Sequence, residues 1–485
     1  MSLSRVINVI GLLQVFVALS MMLAAGVAFI YGDGDFQGIL FAAVLTFFVS
    51  GAAYRVTMFE GAVTAREGFA IVTLAWAATA ASGALPYLLT GTLESPVAAF
   101  FEAMSGFTTT GATVFTEIEA LPHGILFWRS LTQWLGGMGI IVLVIAVLPY
   151  LGVGGMQLFK AEVPGPTPER LRPRITQTAK LLWLVYVGLT VAETGLYLLG
   201  GMSLFDAVNH SFTTLATGGF STKNASIAGF DSSYIHWVTI IFMYLAGVNF
   251  SLHFRAVTGR PIYFKDQEWR FYTYIVVLSA AAIAVANFTS GAYSGAEPAI
   301  RDALFQATAI ITTTGFVSAD YEVWVPGAQL TLFALFFVGG MAGSTGGGIK
   351  TIRVMLLLKQ TANEIRRHLH PKAILLTRVG TKAVKQDVLA NVTGFVILYL
   401  LLCLLGAIVL GFMGMDLVTA LSASIATVGN VGPGFGGVGA TDNYGWMSGP
   451  ALGVLSFFML VGRLEIYTVL LLFHPEMWKS RKSFH

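Results

Sequence analysis

Apolar residues run along this chain in long stretches separated by short polar ones, and ten stretches are long enough to span a bilayer. They fall near 6–31, 37–58, 68–91, 124–152, 177–200, 234–256, 271–291, 328–358, 388–412 and 446–473. About 20 helical residues cross a hydrocarbon core of about 30 Å, so each stretch predicts a transmembrane helix. Four shorter helical segments, near 97–109, 203–216, 300–313 and 416–426, lie between spans and cannot cross. They predict re-entrant helices, because irregular backbone at membrane depth is tolerated only where it is buried in protein or lines a wet cavity. Each leads into a small polar cluster: Thr108-Thr109-Thr110-Gly111, Thr217-Gly218-Gly219-Phe220, Thr312-Thr313-Thr314-Gly315 and Thr427-Val428-Gly429-Asn430. The pattern divides the chain into two extra N-terminal helices (1–65) and four repeats (66–160, 161–260, 261–385, 386–485).

Composition supports an all-α integral membrane protein. The chain has 485 residues, 55% hydrophobic and 11% charged, against about 25% charge in soluble domains. The first run follows Arg5 like a signal peptide. It is long enough to span and a second span follows directly, which predicts a retained helix. The single cysteine, Cys403, excludes an internal disulfide and reads as a small buried hydrophobe. No catalytic triad, paired-carboxylate site or metal-ligand spacing is present, so an enzyme is not expected, nor a covalently bound cofactor or a nucleic-acid partner.

Charge sets the orientation. Of 28 Lys and Arg, only Arg129, Lys223 and Arg301 fall on one face, and Arg463 falls inside the last span. The rest share the opposite face, which the positive-inside rule makes cytoplasmic, with both termini. The outer segments are acidic, with Glu102, Asp206, Asp302, Glu322 and Asp442 among their carboxylates. Such a surplus concentrates cations at an outer vestibule, although each acid could equally be a solvated loop residue.

The clusters align as repeats. Phe101 to Gly111 reads FEAMSGFTTTG, Phe305 to Gly315 reads FQATAIITTTG, and Thr419 to Gly429 reads TALSASIATVG. In the second repeat, Asn209 to Gly219, either Gly218 or Gly219 could be the counterpart. Carbonyls that converge on an ion require unusual backbone angles and close approach of four strands, and glycine permits both. The candidate ion-binding set is Thr110, Gly111, Ala112, Thr217, Gly218, Gly219, Phe220, Thr314, Gly315, Phe316, Thr427, Val428, Gly429 and Asn430. A weakly hydrated cation is expected at the carbonyls of Thr110, Gly111, Thr314, Gly315, Val428 and Gly429, and the family resemblance given below implies that it is potassium.

Thr427 to Gly432 resembles a potassium-channel filter with Asn in place of the usual Tyr. With Met104 to Thr113, Gly339 to Thr351 and Thr427 to Gly434, the whole chain is similar to the TrkH branch of the Trk/Ktr/HKT superfamily of potassium transporters. That resemblance implies four helix–pore-loop–helix units around one pore and a homodimer with a pore in each subunit. It also implies a cytosolic nucleotide-binding TrkA-like ring and filter glycines at Gly111, Gly219, Gly315 and Gly429. Glycine rather than serine at the first position argues for potassium, and for rubidium, over sodium and lithium. Only one full filter sequence is present, so the carbonyl column should be short.

The eighth span contains Gly343, Ser344, Thr345, Gly346, Gly347 and Gly348 within a glycine run from Gly339. Glycine costs about 1 kcal/mol per residue in a helix interior, so the helix should break near mid-membrane. The resulting loop would block the ion path, and in the family it is the gate. A nucleotide-binding P-loop fails, because Ile349 separates Gly348 from Lys350. Helix packing through small residues is the plainer alternative. Arg463, the other gate candidate, could pair with Glu465 or with loop carbonyls, or snorkel to the interface. The basic segment from Lys350 to Lys385 and the segment around Arg170 to Arg174 could lie on anionic lipid headgroups or dock the ring. The expected function is gated potassium uptake across the bacterial cytoplasmic membrane. The alternative is a proton- or sodium-coupled transporter, for which Glu193 and Glu465 are the available intramembrane carboxylates.

Overall fold

The computed structural model describes residues 2–57, 64–151, 172–259, 262–373 and 375–478. The basic cluster at Arg170 to Arg174 and the bases Lys479, Arg481 and Lys482 lie outside the described side chains.

Helices α1 (Leu3–Tyr31) and α2 (Phe36–Val56) form an antiparallel hairpin, turned at Gly32 and Gly34 with φ of 74° and 88°. The hairpin packs on α3 (Ala65–Gly83) and α6 (His123–Leu151). Gln14 Nε2 donates to Thr79 Oγ1 at 2.8 Å, and Arg5 pairs with Glu67. Glu67 also completes a capping box with Thr64 at the start of α3. At the other end the backbone N–H and ring of His123 both meet Asp33, holding its carboxyl below the usual carboxylate range.

The rest is one pattern four times. Repeat 1 comprises α3, α4 (Leu85–Leu89), α5 (Pro96–Phe107) and α6. Repeat 2 comprises α7 (Arg172–Leu199), α8 (Leu204–Leu215), α9 (Ser233–Ala246) and α10 (Phe250–Val257). Repeat 3 comprises α11 (Gln267–Thr289), α12 (Ala296–Ile311), α13 (Pro326–Leu335) and α14 (Thr351–Leu369). Repeat 4 comprises α15 (Gln386–Phe412), α16 (Leu417–Val428), α17 (Gly449–Arg463) and α18 (Tyr467–Phe473), and the short α19 (Pro475–Trp478) follows. A two-stranded hairpin, Arg378–Val379 with Lys382–Ala383, interrupts the helices between repeats 3 and 4.

Six helices among the described residues are long and apolar enough to cross a membrane, or eight if each of two bent pairs counts as one span. These match eight of the ten stretches expected from the sequence, and α6 runs over a ninth, 124–152. α9 and α10 meet at 102° across Gly247 to Asn249, where the Asn249 side chain caps α10. α17 and α18 meet at 117° across Glu465 and Ile466, both with positive φ. The stretch 328–358 divides into α13, an irregular loop and α14. The burial pattern suits lipid: α15 exposes Ile397, Leu400, Leu401, Leu404, Leu405 and Ile408, while Phe395, Tyr399 and Cys403 face inward.

Candidate ion-conducting site

α5, α8, α12 and α16 each end in the same backbone figure. The last helical N–H bond is followed by a non-glycine residue with positive φ: Thr109 at 54°, Thr217 at 54°, Thr313 at 60° and Asn430 at 55°. The next N–H reaches back five residues, from Thr110 to Ser105, Gly218 to Thr213, Thr314 to Ala309 and Val431 to Ala426, at 2.8–2.9 Å. A glycine with positive φ completes each figure: Gly111 (82°), Gly219 (77°), Gly315 (70°) and Gly432 (96°). A β-branched threonine at positive φ is a backbone outlier costing about 1–3 kcal/mol. Three threonines in one equivalent place mark a constraint repeated around the ring.

The four figures close into a ring in chain order. A Cβ added at Gly111 would collide with the Gly218 carbonyl, one at Gly219 with Thr314, one at Gly315 with Val431, and one at Gly432 with Thr110. Each glycine thus lies against the carbonyl of the residue before the next glycine. The four helices present their C-terminal, partially negative ends to this centre, which favours a cation there.

This geometry sets the register. In the second repeat Gly219 is the ring glycine and Gly218 takes the place of Thr110. In the fourth, the sequence alignment is three residues early. Thr427 and Val428 belong to the last turn of α16, Thr427 Oγ1 donating to the Ala423 carbonyl. Gly429 is a right-handed cap with φ −77°. Gly432 is the counterpart of Gly111, and Asn430 takes the place of Thr109. Helical periodicity carries through a shift of three residues, so two glycines spaced by three could not be told apart by pattern. Ala112, Phe220 and Phe316 follow their ring glycines and are buried, and Pro433 holds the fourth such place.

Gln133 carries no motif, and sequence reasoning passed over it. Its amide donates to the Gly218 carbonyl at 2.7 Å and accepts from the Phe220 N–H at 3.0 Å. Its side chain fills the space that a threonine would occupy at Gly218. The available signal was a run of polar residues, Arg129, Ser130, Thr132 and Gln133, inside an apolar span. Gln133→Leu removes both bonds and leaves the buried Gly218 carbonyl and Phe220 N–H without this partner, so we expect a loss of stability of about 1–3 kcal/mol, read as a lower thermal midpoint of the purified protein in detergent.

The glycine loop between α13 and α14 folds against one side of the ring. Gly347 N–H donates to Thr313 Oγ1 at 2.6 Å, and Gly347 also lies against Gly429 and Asn430. Gly346 packs on the Thr312 carbonyl. Thr345 Oγ1 donates to the Leu215 carbonyl at 2.9 Å, and the Gly343 carbonyl accepts from the Phe250 N–H at 3.0 Å. Gly348 has φ 63°, Ser344 bonds within the loop, and Lys350 donates to the Gly346 carbonyl. Arg463, 5% exposed, donates to the Thr345 carbonyl at 2.8 Å and to the Gly136 carbonyl at 3.4 Å. It does not snorkel, and Glu465 pairs instead with Arg353 at 2.5 Å. Through these bonds the loop and Arg463 reach all four repeats.

Other expectations change. Arg129, Glu102, Asp35 and Asp302 are buried rather than solvated in outer loops. On the side of the ring away from the glycine loop a cavity is lined by the ring glycines Gly111, Gly219 and Gly315 and by Pro433, with Lys223, Asp442 and Tyr444. Glu193 is buried beside Tyr197 and Thr214, behind α8. No group of three or more His, Cys, Asp or Glu could hold a metal among the described residues.

Known proteins share this architecture. The family profile described as TrkH, cation transport protein, matches residues 36–484. The Trk system potassium uptake protein TrkH of Vibrio parahaemolyticus is 42% identical over 494 residues, covering 99% of this chain and 100% of that protein. TrkH of Salmonella typhimurium is 41% identical over 485 residues, covering 98% of this chain and 99% of the relative. The crystal structure of the potassium transporter TrkH from Vibrio parahaemolyticus superposes with a TM-score of 0.90 at 38% identity, over 99% of this chain and 100% of that one.

Proposed function

This chain belongs to the TrkH family of cation transport proteins, and from that membership we propose that it conducts potassium into the cell through the ring of Gly111, Gly219, Gly315 and Gly432. It is a membrane transporter, not an enzyme. The observation that carries the reading is the closed ring, in which four glycines with positive φ each lie against the carbonyl of the next repeat. Four converging carbonyl strands can replace the hydration shell of a weakly hydrated cation such as potassium or rubidium, better than that of sodium or lithium. The candidate ligands are the carbonyls of Thr110, Gly218, Thr314 and Val431 and of the glycines after them. The glycine loop and Arg463 form the gate on the inner side.

The reading extends to the bacterial cytoplasmic membrane with both termini inside, a homodimer with one pore per subunit, and control by a cytosolic nucleotide-binding TrkA-like ring. These parts rest on basic-residue placement and family membership. Proton coupling usually draws on a carboxylate in the conduction path. Glu465 is engaged by Arg353 and Glu193 sits behind α8, so downhill conduction is favoured.

The test is cation flux into liposomes holding the purified chain alone, comparing potassium, rubidium, sodium and lithium with no proton gradient. Downhill potassium and rubidium flux exceeding sodium and lithium is expected. Flux that depends on an imposed proton or sodium gradient would overturn the pore in favour of a coupled transporter.

A further inference from the structure

Beyond each ring glycine the chain turns outward, and the residue two places on receives a bond from the preceding repeat. The Ser221 carbonyl accepts from Arg129 Nη1 of repeat 1 at 3.2 Å. The Val317 carbonyl accepts from the Ala228 N–H of repeat 2 at 3.0 Å. The Gly434 carbonyl accepts from the Tyr321 hydroxyl of repeat 3 at 2.6 Å. The Thr113 carbonyl accepts from the Tyr444 N–H of repeat 4 at 2.8 Å. These bonds form a cyclic belt that ties each strand, two residues past its ring glycine, to the preceding repeat.

Three links of the belt are neutral, and the link between repeats 1 and 2 is ionic. Arg129, 1% exposed, donates through Nε to Glu102 Oε1 at 2.9 Å and through Nη2 to Thr113 Oγ1 at 3.1 Å. Its guanidinium lies 4.2 Å from the Phe220 ring centroid. Glu102 also accepts from the Val114 N–H at 2.9 Å and from Thr113 Oγ1. One guanidinium thus joins the same place, two residues past the glycine, in adjacent filter strands.

Repeat 1, like repeat 4 with Thr419 and Phe435 at these places, lacks the tie that repeats 2 and 3 use. In repeat 2 Thr222 Oγ1 donates to Asp206 at 2.6 Å, and in repeat 3 Ser318 Oγ donates to Asp302 at 3.2 Å. The equivalent positions in repeat 1 are Ala98 and Val114, which cannot form it. Fork geometry suits Arg129 to the substitute role, since its three nitrogens reach three partners spread along one plane, whereas the three donors of an ammonium share a single nitrogen.

We propose that Arg129, held by Glu102, is a positioning residue that sets ion selectivity by fixing the spacing of the first and second filter strands. The proposal rests on the pore reading above. In the full-length chain in liposomes, Arg129→Lys keeps the charge and loses the fork, and the potassium-to-sodium flux ratio is expected to fall about tenfold while total cation flux persists. Loss of one partner from a buried pair can prevent folding, so the neutral double variant Glu102→Gln with Arg129→Gln is the second probe. It is expected to restore thermal stability and monodispersity without restoring the ratio. A ratio that stays at the wild-type value in either folded variant would overturn the proposal and leave a purely structural pair. Absence of selective flux in the wild-type chain would instead overturn the pore reading.

Discussion

Gly432→Ala should abolish selective potassium flux, while Gly429→Ala should leave most of it. Gly432 has φ 96° and its missing side chain faces the Thr110 carbonyl. Alanine there costs about 1–2 kcal/mol for the left-handed backbone, and its methyl displaces a carbonyl from the proposed ion path. Gly429 has ordinary helical angles, φ −77° and ψ −13°. A methyl there would lie 3.0 Å from the Ile425 carbonyl and the Tyr399 hydroxyl, tight contacts on the flank of α16 rather than in the ring. Rubidium uptake at equal protein abundance checks the pair. At least a tenfold difference between the variants is expected, since one carbonyl ligand is lost in one and none in the other. Equal loss in both would return the fourth filter to the Thr427-Val428-Gly429 register.

Deleting Gly343 to Gly347 should raise flux about tenfold or more without removing the preference for potassium. The deletion removes the Thr345 carbonyl that Arg463 holds, the Thr345 hydroxyl on Leu215 and the Gly347 N–H on Thr313. Bonds to charged donors are worth about 1.5–3 kcal/mol, and 1.4 kcal/mol changes a closed-to-open ratio tenfold. The ring glycines and their carbonyls remain, which is why selectivity should persist. Arg463→Gln is the milder probe, taking the charge and leaving the loop, and a smaller increase is expected. Concentration-dependent uptake into liposomes measures both. Unchanged or lower flux from a folded deletion variant would mean that the loop is packing, not a gate.

The spans and the ring positions of Gly111 and Gly315 were legible in the sequence because each rests on a signal that composition cannot hide, whereas the second repeat left Gly218 and Gly219 open. Apolar runs must match bilayer thickness, and Thr-Thr-Thr-Gly after a short helix has few other uses. The glycine run at 339–348 announced a broken helix for the same reason. The fourth station was misread because TVGNVG offers two glycines and the likeness to a channel filter favoured the first. The deciding feature, Asn430 in the left-handed region where the other repeats place threonine, is a backbone property opposed to threonine's own preference. Arg129 and Glu102 were assigned to an outer surface by counting charges on loops, yet they meet in the interior. Such a pairing depends on which helices become neighbours, and spacing along the chain carries no record of that.

The four stations differ in detail: Gly218 stands where two repeats have threonine, Asn430 where three do, and one rim link is ionic. In a pore made of four identical copies, every codon change is felt four times, and a mixed population of old and new subunits yields hybrids. Here one mutation alters one quarter of the ring and leaves the other three as they were. Selection can adjust such a pore in small steps, and a cell carrying two alleles makes two kinds of pore and no mosaics within a single ring.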